Sequence, residues 1–544
     1  MVSYMGHNQN AKHASPTADT MSTPAKNSIK PFTHDRKSGE HHIGTAGIME
    51  GRESRDMLNS ALSDELLAEI LYRLCDSLDR KSVSLVCKRW KRVQRIAKCR
   101  LGLYSDVTCA TTFLASITSL LAQHPYITCL TIKAACHVAS DLLVTRSVTG
   151  IASSCKCLTE LHFTAGRLRA QDLEDLAWGC PNLCSLELLQ PIFAPCLSAL
   201  CKFKHLQQLT LQGHKEHYIC TSETEGYANK RNMNTKPSSH QGPLKIVKLA
   251  LNNLRSCTTC DLRWLWCSCD RIQKLELSNC DVLGDSSSVA QAFSTLEEVK
   301  LSRCRGIAGQ VMMLVAKHTL GLKSLIVHDG ADTEALRLVL QNCRGLELLD
   351  LRLPLDLSKE DLMVIGQNGK CLRSLRLRSC WMATGADMQL LANNINSNLE
   401  ELVLVKCRAI FQDLGTLSSI GQSLSSLKSI DLSENEYLAD KELVGMLAPN
   451  WGVHHLCLWK CCRLTDKVLD FIGQRCTDLE SIDLRVCDGI STKAVTNLLM
   501  YCGRLRTVAI EPSKLSAEAK RLAAIKRISF IGLSSSSLHF KAAT

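Results

Sequence analysis

The chain is 544 residues long, more than one compact core holds, and carries 65 Lys and Arg against 53 Asp and Glu. Its first hundred residues contain 17 basic and 11 acidic groups, and the remainder, with 48 and 42, is too weakly basic for a dedicated nucleic-acid binder, so no nucleic-acid partner is expected. With 45% hydrophobic and 22% charged residues the composition is that of a soluble globular chain, and no apolar run reaches the ~18 residues of a membrane span, so no membrane partner is expected either.

Residues 1–56 contain no Leu and are rich in Ser, Thr, His, Asn and Lys, too poor in apolar area to offset ordering entropy; a solvated, disordered tail is predicted. The segment 57–104 changes character. Leu66, Ile70 and Leu74 recur every fourth residue, with Ser63 as N-cap and Asp64 and Glu65 in the first turn, which predicts an amphipathic helix. A second amphipathic stretch spans Asp79 to Trp90, and Lys88 to Arg100 then holds seven basic residues interrupted at helical spacing by Trp90, Val93 and Ile96, as on a solvated helix face. So small a helical cluster is marginal alone and calls for a partner surface.

Leu62, Glu65, the Ile70-Leu71 pair, Leu74 and the run Ser84-Leu85-Val86-Cys87-Lys88-Arg89-Trp90 resemble the F-box, with Ser63 where that pattern usually has proline. The resemblance implies a non-catalytic adaptor of an SCF-type ubiquitin ligase. Its F-box would dock on a Skp-family linker, and cullin and RING subunits would join through that linker. By position in the motif, Leu62, Leu66, Ile70, Leu74, Leu85, Val86 and Trp90 should form the module's core and its linker contact.

From 105 to 532 the chain repeats itself. The pattern L-x-x-L-x-L begins at Ile127, Leu158, Leu183, Leu206, Leu244, Ile272, Leu296, Leu322, Leu346, Leu372, Leu399, Leu427, Val453, Leu479 and Leu505, about 15 units in all. Each reads as a short strand followed by a returning helix, for example Leu372-x-x-Leu375-x-Leu377 and then Asp387 to Ala392. Neither piece buries its apolar face alone, so the units must stack into an α/β leucine-rich-repeat solenoid, a curved parallel sheet with outer helices. The long step after Leu206 predicts a flexible polar insertion over 213–243, and 533–544 reads as a C-terminal tail.

Cysteine follows the same register. Cys280, Cys304, Cys380, Cys407, Cys461 and Cys487 stand three residues after the last apolar strand position, with Asn252 and Asn435 as equivalents; Cys155, Cys180, Cys269, Cys343, Cys476 and Cys502 stand three before the first. Small side chains that bond to loop backbone suit both places, and dispersed, phased cysteines predict free thiols in a reducing compartment, cytoplasm or nucleus. The arrangement resembles the cysteine-containing class of leucine-rich repeat. With the Asp79 to Trp90 wording it looks most like plant F-box/leucine-rich-repeat proteins, the group that includes hormone receptors.

No nucleophile elbow, phosphate loop or H-E-x-x-H is present, so no catalytic residues are expected. Cys257-x-x-Cys260 followed by Cys267-x-Cys269 is too tightly spaced for zinc, and no metal is expected. A protein substrate should lie on the concave sheet. There Arg352, Arg376 and Arg378 would form a basic patch, with Trp459, Lys460 and Arg485 further along; the same face also carries Asp350, Glu401, Asp431 and Asp483, which would make it an ordinary mixed surface. Two other readings share this architecture: a small-molecule co-receptor with an inositol polyphosphate in a basic cradle, and a scaffold outside any ligase.

Overall fold

The computed structural model describes residues 62–73, 82–83, 85–96, 99–105, 117–124, 126–134, 141–189, 194–213, 244–254, 259–329, 332–353, 357–395 and 398–532. The tails and the insertion 214–243 therefore lie outside the described residues. The chain divides into two units, 1–63 and 64–544, and every element described here belongs to the second.

Among the described residues, 17 parallel strands form one sheet in which each strand pairs with the next in sequence, from Arg100–Ser105 to Ser529–Ile531. The sheet thus begins before residue 105, inside the segment assigned from sequence to the helical module. A helix follows most strands and packs on its neighbour in the next repeat, which is the long crossover that parallel pairing requires. The order strand, helix, strand makes this a leucine-rich-repeat solenoid. One repeat shows the logic. In the strand Ser374–Arg378, Leu375 and Leu377 are fully buried while Arg376 points to the opposite face. Thr384 then caps the helix Gly385–Asn394 in a reciprocal box with Asp387, and Met388, Leu391 and Ala392 return to the same core.

The unit after the insertion corrects the sequence register. Its strand is Lys248–Asn252 with Leu249 and Leu251 inward, so its pattern starts at Ile246; Leu244 is also buried but makes only an isolated bridge to Cys269. The residue equivalent to Cys280 is consequently Leu254, not Asn252. Across the insertion the stack is unbroken, because Gln208–Gln212 pairs directly with Lys248–Asn252 and Gly213 N–H donates to Asn252 O at 2.7 Å. A Cβ at Gly213 would meet the Asn253 backbone, so only glycine admits this approach.

The twelve phased cysteines are buried and unpaired as disulfides. Five of the first set reach back one repeat: the thiol of Cys304 donates to Leu277 O at 3.4 Å, Cys461 to Leu432 O at 3.2 Å and Cys487 to Leu458 O at 3.0 Å, and Cys280 and Cys407 donate likewise to Leu251 O and Leu377 O. Asn435 does the same work with more bonds, donating to Leu404 O at 2.6 Å and Leu432 O at 2.8 Å and accepting from Cys407 N–H at 2.8 Å. In the second set Cys343 donates to Thr319 O at 3.1 Å and Cys180 to Cys155 O at 3.4 Å. Burial pushes the Cys380 thiol up to about 11 and that of Cys487 up to about 12, so both stay protonated.

Sequence reading did not find the residue just before these caps. In ten consecutive repeats, Asn253, Asn279, Arg303, Asp329, Leu353, Ser379, Lys406, Glu434, Lys460 and Val486 adopt left-handed backbone, with φ from 52 to 67°. None is glycine. Each of the first nine aims its N–H at a carbonyl at or just beyond the strand end of the following repeat, for instance Lys406 N–H to Ser433 O at 3.0 Å, and that bond offsets the steric cost of roughly 1–2 kcal/mol per turn.

Candidate binding surfaces

The helical module is held by Leu67, Leu71, Val83 and Val93, with Ala68 and Trp90 packed against them. Asp64 joins two of its helices, Asp64–Arg73 and Lys88–Ile96, by accepting from Arg89 Nε at 2.8 Å and Arg92 Nη2 at 2.9 Å; the Arg89 hydrogen bond foremost holds its carboxyl below the usual range. This corrects the assignment of the module's core. Leu66, Ile70, Leu85 and Val86 are 57, 47, 84 and 56% exposed and take no part in it, whereas Leu67, the neighbour of Leu66, is 1% exposed. Both Leu66/Ile70 and Leu67/Leu71 are four-residue pairs on one helix, and only the second turns inward. Leu62 is half-buried, and Leu74 lies outside the described residues. Among the described residues the module thus buries four apolar side chains and leaves Leu66, Ile70, Leu85 and Val86 exposed, a large apolar surface of the kind that marks an interaction site.

The second surface is the sheet face opposite the helices, where the odd positions of every strand project. Register brings Arg376 beside Asp350 and Arg378 beside Arg352. The arginines do not form a free basic patch. Arg378 Nη1 contacts both oxygens of Asp350 at 2.6 Å, Arg376 Nη2 lies 2.7 Å from Glu401, and His328 adds a 3.3 Å contact to Asp350. Burial works to raise the Asp350 carboxyl, but His328 and Arg378 outweigh it and hold it low. Arg485 is also consumed: it is buried and grips Asp483 at 2.6 Å. The mixed-surface reading therefore describes Arg376, Arg378 and Arg485, and the basic-patch reading fails because cross-strand carboxylates sit at bonding distance.

Arg352 differs. It is exposed and has no ion-pair partner among the described residues. Trp459 is half-buried two positions beyond Cys457, and Lys460 is half-buried with its N–H bound to Arg485 O at 2.8 Å in the left-handed turn. Along the same face Asp431, Cys457 and Asp483 are register partners. Burial raises the Asp431 carboxyl despite two hydrogen bonds from Ser433. Of the four clustered cysteines, Cys257 and the Cys260 side chain lie outside the described residues, Cys267 is exposed and Cys269 is buried in the repeat register.

Comparison with known proteins gives the class of each part. A family model described as F-box matches residues 59–99, so the chain carries an F-box ahead of its repeats. Among solved structures the chain is similar to one from the Rad7 and Elc1 complex of yeast, at 14% identity and TM-score 0.38 over 90% of this chain and 98% of that one. It is also similar to the leucine-rich repeat-containing protein LegL7 of Legionella pneumophila, at 14% identity and TM-score 0.37 over 51% and 97%.

Proposed function

We propose that this chain is the substrate-recognition subunit of an SCF-type ubiquitin ligase. The F-box docks a Skp-family linker through Leu66, Ile70, Leu85 and Val86, cullin and RING subunits join through that linker, and the sheet face of the solenoid holds a protein substrate in the cytoplasm or nucleus. The observation that carries the reading is the pairing of an F-box at 59–99 with four outward apolar side chains that its own core leaves uncovered. Chemistry belongs to the other subunits, while Arg376, Arg378 and Arg485 on the sheet face are each held in an ion pair. Those pairs also favour the simple adaptor over a co-receptor with an inositol polyphosphate, since Arg376, Arg378 and Arg485 are already neutralised. Twelve buried, reduced cysteines fit a reducing compartment.

The test is copurification. Full-length protein should bring down the linker and cullin, and a Leu66→Asp, Ile70→Asp double variant should lose both while keeping its circular dichroism. Linker recovery unchanged in that variant would overturn the proposal.

A further inference from the structure

Three donor side chains of different chemistry converge on the sheet face near its N-terminal end. Cys129 opens the strand Cys129–Ala134, and Glu160 and His162 are the first and third residues of its neighbour Glu160–Thr164. Pairing sets Cys129 directly opposite Glu160. The Cys129 sulfur, a Glu160 carboxylate oxygen and a ring nitrogen of His162 all lie within 4.8 Å of one another. Ligands at ~2.0–2.3 Å around a tetrahedral ion stand roughly 3.5 Å apart, so closure needs about 1 Å of side-chain movement, which half-exposed Glu160 and His162 can make.

A second row of residues organises the first. Glu187, 12% exposed at its side chain, contacts His162 Nδ1 at 2.5 Å, and Gln212 donates to Glu187 in turn. His162 foremost holds the Glu187 carboxyl below its ordinary range, with Lys133 adding a further favourable charge. A carboxylate on Nδ1 assigns that nitrogen the proton and leaves the Nε2 lone pair for an external ligand, the orienting arrangement that supports metal-bound imidazoles. On the other side, exposed Arg100 reaches Cys129 Sγ at 3.6 Å and Glu160 at 3.2 Å, lending a positive charge to the same two donors a cation would use.

We propose that Cys129, Glu160 and His162 form a site for one divalent ion of the zinc class, with Glu187 as positioning residue and Arg100 as the built-in cation that the metal displaces. One thiolate, one carboxylate and a neutral imidazole together neutralise the charge of the ion. Sulfur and nitrogen donors select zinc-class metals over calcium or magnesium. Three protein ligands leave a fourth position for water. The sequence alone predicts no such site, because its donors lie 31 and 33 positions apart and meet only through strand register.

The experiment titrates Co²⁺ into the metal-stripped full-length protein under reducing conditions, follows the thiolate-to-cobalt charge-transfer band, and then competes Zn²⁺ against a chromophoric chelator. The wild type should show the band at one equivalent. Both Cys129→Ser and His162→Gln should lose that equivalent; the second leaves every thiol in place, so its loss cannot come from other cysteines. Glu187→Gln should weaken Zn²⁺ by about 10- to 100-fold. Arg100→Gln should tighten it by about two- to fivefold, a gain that misfolding cannot produce. No band in the wild type, a band unchanged in Cys129→Ser or His162→Gln, or an affinity unaltered or weakened by Arg100→Gln would overturn the site.

Discussion

Arg378 places one guanidinium nitrogen 2.6 Å from each carboxylate oxygen of Asp350, which lies two register positions back on the adjacent strand of the preceding repeat. Arg376 lies 3.8 Å from the same carboxylate and His328 3.3 Å, so a single buried Asp350 serves three potential cations. The face is thus a set of neutralised strand-to-strand ladders, continued by Lys300 with Glu276 and Lys274 with Glu298.

Asp350 and Asp431 share this face, and their pKa values move in opposite directions, which gives a paired prediction. Asp350→Asn strands buried positive charge and should destabilise by about 3 kcal/mol at pH 7 in urea denaturation. Because the folded-state carboxyl is held below the unfolded value of ~3.9, its contribution is present above that pH and lost as pH falls through the folded pKa. The difference between variant and wild type should therefore shrink in acid. Asp431 is raised chiefly by burial, so its ionised form is a liability at neutral pH. Asp431→Asn keeps an oxygen to accept from Ser433 and should stabilise by up to about 1 kcal/mol at pH 7, an advantage that fades as pH falls through the raised folded pKa and is gone below the unfolded value. Equal signs for the two variants at pH 7 would contradict this account.

The cap ladder predicts a second contrast. Cys487→Ser retains a donor toward Leu458 O but buries a hydroxyl in an apolar slot, and should cost about 1 to 3 kcal/mol. Asn435→Ala removes two donated bonds and one accepted bond and leaves the Cys407 N–H unsatisfied, so it should cost at least as much. Diagonal gels should show no native disulfide between repeats in either variant or the wild type.

Much of this was legible because the repeat period and the burial period coincide. Leu375 and Leu377 can only point inward in the strand that their spacing predicts, and the phased cysteines fall where the turn needs a compact donor. Where two registers fit equally, sequence could not choose. Leu244-x-x-Val247-x-Leu249 and Ile246-x-x-Leu249-x-Leu251 match the same pattern, and the strand boundary alone selects the second. Leu66/Ile70 and Leu67/Leu71 pose the same ambiguity on a helix. Ion pairs were beyond reach for another reason: whether Arg376 is free or bound to Glu401 depends on side chains 25 residues apart and on which oxygen each strand offers.

The adjacent leucines of the F-box helix separate docking from folding. Leu66→Asp alters a side chain that is 57% exposed, so linker binding should fall while thermal unfolding of the module is unchanged. Leu67→Asp places a carboxylate in the cluster with Leu71, Val83 and Val93, and should cost about 3 kcal/mol or more, enough to unfold a core so small. Pulldown and hydrogen exchange over 64–96 distinguish the two, and an equal loss of protection in both variants would refute the division into inner and outer faces.

Substrate contact on the sheet face should rest on the side chains that the ladders leave available. Arg352 is exposed, and Trp459 offers a large half-buried ring two residues beyond the strand His455–Cys457, whose place in the sheet is four strands along from that of Arg352. Arg352→Glu and Trp459→Ala should therefore lower substrate recovery and ubiquitination while linker binding and stability hold. Arg376→Glu behaves differently, because it sets a carboxylate against Asp350 and Glu401 in a site only 20% exposed, and it should destabilise the repeats by several kcal/mol before it reports on substrate. Proteomic recovery under proteasome inhibition, read beside a melting curve for each variant, checks both expectations. Substrate turnover unchanged in Arg352→Glu and Trp459→Ala together would move the binding site off this part of the sheet.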